Sequence, residues 1–140
     1  MRVDMRELLY TLAVLAASLL LIAAFVFGGH DRSTFVPAPE AAAEGFAREI
    51  ATKRYDMAMN YLALPARRAE TARTLASRFE RLLASTGTIN QVEAAPQWMK
   101  ESRAAARATV KGDTGRVSFE LGFIRENGLW RIDQLPDLVR

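Results

Sequence analysis

Hydrophobic and polar positions fall into three regimes along this chain. Leu8 to Gly29 (LLYTLAVLAASLLLIAAFVFGG) carries no charged residue. From Pro39 to about Ser85 apolar residues recur at helical spacing, and from Thr88 to Leu135 they alternate. The first regime predicts a membrane-spanning helix. Its 22 residues, at about 1.5 Å each, reach about 33 Å and would cross a hydrocarbon core of about 30 Å. A cleavable secretory signal has a shorter apolar core of about 7–15 residues and a small-residue cleavage site, and neither fits. No cysteine is present to carry a lipid anchor.

Arg2 and Arg6 precede the run, whereas only Arg32 follows it closely. Positive charge stays cytoplasmic, so the expected topology is single-pass in the cell inner membrane, N-terminus inside, with the domain periplasmic or extracellular. The expected organisation is a cytoplasmic tip and transmembrane helix over 1–29, a tether over 30–39 (HDRSTFVPAP after the two glycines) and one domain over 40–140.

The second regime predicts three helices. Pro39 suits a first helical position, with Glu40 and Glu44 in the early turns and Arg48, Lys53 and Arg54 late, matching the helix dipole. Ala43, Phe46, Ala47 and Ile50 share one face. A shorter helix follows, capped by Asp56, with Met57, Ala58, Tyr61 and Leu62 inward. Pro65 starts a third that runs to about Ser85, with Ala72, Leu75, Phe79, Leu82 and Leu83 inside and Arg67, Arg78 and Arg81 outside.

At Gly87 the period drops to two. Thr88 to Pro96 predicts a strand, continued or followed by a turn at Trp98 and Met99. Arg103 to Lys111 alternates cleanly, with Ala104, Ala106, Ala108 and Val110 on its apolar face. Val117, Phe119, Leu121 and Phe123 give the most apolar strand face. Asn127-Gly128 is a strong hairpin signal, since both residues tolerate positive φ. Leu129 to Leu135 closes the sheet with Trp130 and Ile132 inward. Helices first and strands afterwards imply an α+β domain: three helices packed on a curved antiparallel sheet of about four strands.

Composition changes this picture little. The net charge is +3 and arginine outnumbers lysine sixteen to three. Basic residues are not interleaved with aromatic stacking positions, so nucleic acid is not an expected partner. The single histidine, His30, lies in the tether, and one imidazole without convergent ligands does not make a metal site.

The stretch RYDMAMNYL after the first helix, the Gly87-x-Ile89 entry to the sheet and the closing ENGLWRIDQLP resemble the nuclear transport factor 2-like superfamily. Within it they resemble the small bacterial membrane-anchored extracytoplasmic domains. That resemblance covers residues 40–135 and implies a cone-shaped fold held by Tyr55, Ala58, Tyr61, Trp130 and Ile132. It also implies that an enzymatic member would hold an acid–base residue inside the cone.

No inward sheet position here is ionisable, so proton-transfer chemistry lacks its group. The expected protein is non-enzymatic and needs no cofactor. It reads as an accessory or scaffolding subunit of a larger bacterial membrane complex, with the lipid bilayer and other membrane subunits as partners. Ala13, Ala17, Ala24 and Gly28 would form a small-residue packing face in the membrane. Arg67, Arg78, Arg81, Arg103, Arg107, Lys111 and Arg116 would form the partner surface. The alternative is a membrane-tethered domain holding a small apolar molecule or lipid in the cone, lined by Tyr61, Trp98 and Phe119. A pocket enzyme of the isomerase or dehydratase type is a remote third reading.

Overall fold

The computed structural model describes residues 5–7, 9–16 and 38–137, and divides the chain into two units, Met1–Phe35 and Val36–Arg140. In the first unit the described residues are helical and exposed. Among the described residues no helix is long and apolar enough to cross a membrane. The single-pass topology, the inner-membrane location, the bilayer contact and the membrane-subunit partners expected from hydropathy therefore have no described helix to rest on, and are withdrawn. Of the expected packing face, Ala13 is an exposed helical residue, while Ala17, Ala24 and Gly28 lie outside the described residues.

The second unit opens with helix α1 (Pro39–Ala51). Pro39 stands in its first turn, where a missing N–H costs nothing. Ala42, Ala43, Phe46, Ala47 and Ile50 are buried along one stripe. Gly45 admits a neighbour: a Cβ there would lie 2.5 Å from the Tyr61 hydroxyl oxygen. The helix stops at Thr52, and Lys53 takes a left-handed φ of 59°.

Helix α2 (Tyr55–Ala58) leads into a 3-10 turn, Met59–Tyr61. Asp56 is not its cap: Arg54 holds that position without a side-chain bond, and Asp56 contributes only charge to the first turn. Met57 is exposed rather than inward, whereas Leu62 is buried.

The single third helix expected from the periodicity is two helices, α3 (Leu64–Ala69) and α4 (Ala72–Leu83). Thr71 separates them. Its Oγ1 accepts from the Thr74 amide at 3.1 Å, and Thr74 Oγ1 accepts from the Thr71 amide at 2.9 Å, a reciprocal cap that restarts the helix. Among the described residues this unit thus has four helices, not three.

Strands β1 (Ile89–Met99), β2 (Arg103–Gly112), β3 (Arg116–Glu126) and β4 (Leu129–Gln134) form one antiparallel meander in sequence order. The first strand runs through Pro96 to Met99, so Trp98 and Met99 continue it rather than line a turn. Asn127 (φ 51°) and Gly128 (φ 77°) make the last hairpin, both left-handed as that turn requires.

Helix α1 lies across the inner face of β1 and β2, where Ala104, Ala106 and Ala108 let it approach closely. The space between helices and sheet is filled. Phe79 packs edge-on against both Phe46 (centroids 5.6 Å) and Phe119 (5.3 Å), and Phe46 meets Tyr61 at 6.3 Å. Such pairs add about 0.5–1.5 kcal/mol each beyond their buried area.

Candidate functional site

The three side chains expected to line one cone pocket do not meet. Phe119 is 5% exposed and belongs to the aromatic core. Tyr61 borders a cleft of about 240 Å³ with Ala41, Ala42, Leu129, Trp130 and Arg131. Trp98 stands apart, 48% exposed near the end of edge strand β1, with Met99 beside it at 67%. An interior cavity fails because edge-to-face phenyl rings occupy its volume.

Trp98 is placed by a break in the ladder. Pro96 pairs with Ala106, but the next pair is Trp98 with Ala105, so Gln97 and Trp98 together oppose one residue. Without that extra residue Trp98 would fall opposite Ala104, on the core side. The bulge aims it at the outer face instead. Strand β4 carries a second break at the same level: Ile132 pairs with Phe123, then Gln134 with Gly122, leaving Asp133 as the extra residue. Since Ala105 pairs with Gly122, a row runs across the outer face as Trp98, Ala105, Gly122, Gln134.

Among the described residues three hollows adjoin Trp98. One, of about 720 Å³, lies between the start of α1 (Ala38, Pro39, Glu40) and the sheet end at Pro96, Met99 and Trp130. There the Arg125 guanidinium sits 5.7 Å from the Trp130 ring centroid, a favourable cation–π geometry. A second, of about 160 Å³, lies over Ala105 and Gly122 on the outer face, and a third, of about 600 Å³, is lined by Trp98, Lys100, Glu101, Ser102 and Arg103.

The expected arginine surface is dispersed. Arg67 is on α3 and donates to the Met59 and Asn60 carbonyls at 3.3 Å each. Arg78, on α4, donates to Glu70 Oε1 at 2.7 Å and to the Pro136 carbonyl at 3.2 Å. Lys111 pairs with Glu93 at 2.8 Å. Arg81, Arg103, Arg107 and Arg116 are exposed. Thus Arg67 and Arg78 tie the fold together, while Arg103, Arg107, Lys111 and Arg116 share the sheet's outer side.

Burial, and secondarily the Glu80 carboxylate, push the Tyr55 phenol above its ordinary value of 10.0. Glu49 Oε2 is buried without a hydrogen bond in line, but Arg54 Nε lies 2.8 Å from it and Arg54 Nη2 donates to the other oxygen at 3.1 Å. That carboxylate is neutralised at the end of α1. Among the described residues no group of three or more His, Cys, Asp or Glu could hold a metal ion.

No family model matches the chain, and no curated protein matches it. Among solved structures it is similar to a Campylobacter jejuni protein named as an NTF2-like transpeptidase, with a TM-score of 0.52 and 12% identity. The match covers 64% of this chain and 92% of that one. At that identity the likeness is one of fold alone. It supports helices packed on a four-strand sheet, and it does not carry the expected membership among membrane-anchored domains.

Proposed function

We propose that residues 38–137 form a non-catalytic binding domain whose working end is the Trp98 corner. The observation that carries this reading is the half-exposed Trp98, held outward by a bulge and bordering all three hollows. The half of a large aromatic ring left in water adds nothing to the fold, but supplies rigid contact area to a ligand. Its neighbours Met99 and Trp130 extend the apolar surface, and Lys100, Glu101 and Arg125 supply polar contacts around the hollow of about 720 Å³.

The non-catalytic half is supported by the inner sheet positions. Ala104, Ala106, Ala108, Val110, Leu121 and Phe123 are buried and without ionisable groups, so no inward acid or base faces a substrate there. The transpeptidase name of the Campylobacter jejuni protein does not transfer, because a shared fold does not bring a site with it.

The test is a fragment screen followed by amide and indole shifts in ¹⁵N-labelled protein. Binding fragments should move Trp98, Met99 and Trp130, and Trp98→Ala should abolish those shifts with little loss of stability. A screen whose binders all map elsewhere would refute the reading.

A further inference from the structure

The two edges of the sheet are treated differently. On the β4 side the chain ahead of α3 lies alongside: Leu62 bridges Ile132 in parallel, and the Ala63 amide donates to the Ile132 carbonyl at 2.7 Å. On the β1 side, among the described residues, no backbone hydrogen bond outside the ladder reaches residues 91–96.

Register tells which backbone groups face that open edge. The Gly112 amide donates to the Gly115 carbonyl at 2.8 Å, closing the β2–β3 hairpin. Bonded and non-bonded pairs alternate along an antiparallel ladder, so Val110, Ala108 and Ala106 bond to Val117, Phe119 and Leu121 of β3. The intervening Lys111, Thr109 and Arg107 turn towards β1, to Gln91, Glu93 and Ala95. That leaves the N–H and C=O of Val92 and Ala94, and the C=O of Pro96, directed away from the sheet. A proline belongs where no ladder bond is lost, and Pro96 fits this parity. It also borders the hollow of about 720 Å³ at the Trp98 corner.

A second copy fits this edge badly. Paired about Glu93, two like charges oppose each other directly. Paired about Ala94, each Pro96 faces a Val92 carbonyl with no donor to give it. Paired about Val92, Ala94 meets Asn90, the extra residue at the other break in the ladder. A strand of different sequence avoids the first and third obstacles and meets the second once, at the exposed end.

We propose that β1 accepts an extended peptide as a further antiparallel strand, with one large apolar side chain of that peptide in the hollow at the Trp98 corner. The inference rests on the reading of that corner as the binding end, and names its partner class. Val92 and Ala94 can each exchange two hydrogen bonds with the peptide, and Pro96 can accept one. Residues directly opposite share a face, and Pro96 pairs with the buried Ala106 on the inner side. The peptide residue opposite Pro96 therefore points inward, where the hollow lies against Pro39, Met99 and Trp130. Main-chain bonds supply affinity and the hollow supplies selectivity.

The probe is acetyl-Lys-Phe-Thr-Val-Thr-Val-Lys-amide, whose phenylalanine falls opposite Pro96 and whose valines fall opposite Ala94 and Val92. It is titrated into the full chain, ¹⁵N-labelled. In the free protein the Val92 and Ala94 amides should exchange with D₂O quickly, and those of Glu93 and Ala95 slowly. The peptide should protect Val92 and Ala94 and move the Trp98 indole. N-methylation of either valine, whose N–H points at β1, should weaken binding about tenfold or more. N-methylation of the threonine between them, whose N–H points away, should leave binding within about twofold. Replacing the phenylalanine by alanine should weaken binding and remove the indole shift. Equal effects of the two methylations would overturn the proposal, as would no protection at millimolar peptide. If unrelated fragments still bind at Trp98 in that case, only the edge pairing fails; if nothing binds there, the binding-domain reading fails with it.

Discussion

Asp113 Oδ1 accepts a 2.8 Å hydrogen bond from the backbone amide of Thr88, joining the β2–β3 turn to the entry of the sheet. The carboxylate rests directly over Gly87, whose φ is +69° and where a Cβ would meet Asp113 Oδ1 at 2.0 Å. Asp113 N also donates to the Thr88 carbonyl at 3.0 Å, and Thr114 Oγ1 to the Ser85 carbonyl at 3.1 Å. Asp113→Ala removes one acceptor at a solvent-accessible junction and should cost about 1 kcal/mol. Urea unfolding followed by circular dichroism measures it. An unchanged midpoint would mean that the backbone pairs alone hold the turn.

Arg78 is a second tie, between α4, Glu70 ahead of it and Pro136 in the segment that follows β4. Because its partners are partly buried, Arg78→Ala should destabilise the domain by about 1–2 kcal/mol. Arg107→Ala, on the open sheet face, should fall within about 0.5 kcal/mol of the parent, as surface substitutions usually do. Parallel thermal melts compare the two. Equal effects would return Arg78 to the role of a free surface charge.

Tyr55 makes stability depend on pH at the alkaline end. Its phenol is held above 10.0 by burial, then by Glu80, so the folded state keeps the proton longer than the unfolded chain does. The folded state is therefore favoured in full below the ordinary phenol value, and that advantage is lost as pH rises through the folded one. Tyr55→Phe should leave stability near pH 7 almost unchanged and shift alkaline unfolding to higher pH. Melting temperatures across pH 8 to 12 read this out. Superimposable alkaline limbs for the two proteins would exclude Tyr55 as the group responsible.

Elements with a strong local signal were legible in the sequence. The change of period at Gly87 separates helices from strands, Pro39 marks the start of α1, and Asn127-Gly128 forms the last hairpin. The alternation from Arg103 to Lys111 assigns Ala104, Ala106 and Ala108 correctly to the core side. What periodicity misses are events in the backbone. The reciprocal cap between Thr71 and Thr74 splits a helix without interrupting its apolar stripe. The bulges at Gln97 and Asp133 turn Trp98 and Gln134 outward by adding one residue each, a change that leaves no mark in composition beyond Pro96 nearby. The site was hidden for that reason: Trp98 and Phe119 look equivalent as strand aromatics and only register separates them, while Tyr61 lies on the 3-10 turn. Hydropathy over 8–29 likewise suggests a span that no described helix supplies.

Gly112 and Gly128 separate steric from torsional cost at the two ends of the sheet. A Cβ on Gly112 would stand 2.0 Å from the Thr86 carbonyl oxygen and 2.8 Å from that of Thr88, both backbone atoms that cannot rotate away. Gly112→Ala must push the β2–β3 hairpin off the α4–β1 connection, at about 3 kcal/mol, the upper part of the usual overpacking range. Gly128 has a φ of +77° and nothing within 4 Å of the added atom. Gly128→Ala pays only for a left-handed conformation, about 1 kcal/mol. Since Ala105 and Gly122 lie well along their strands from Gly112, the Trp98 indole signal should be unmoved in Gly112→Ala below its unfolding transition. Urea midpoints give the two costs and the indole shift gives the range of the disturbance. Comparable losses in both variants would show that the hairpin yields at Gly112 and that its seat on the Thr86 carbonyl is not rigid.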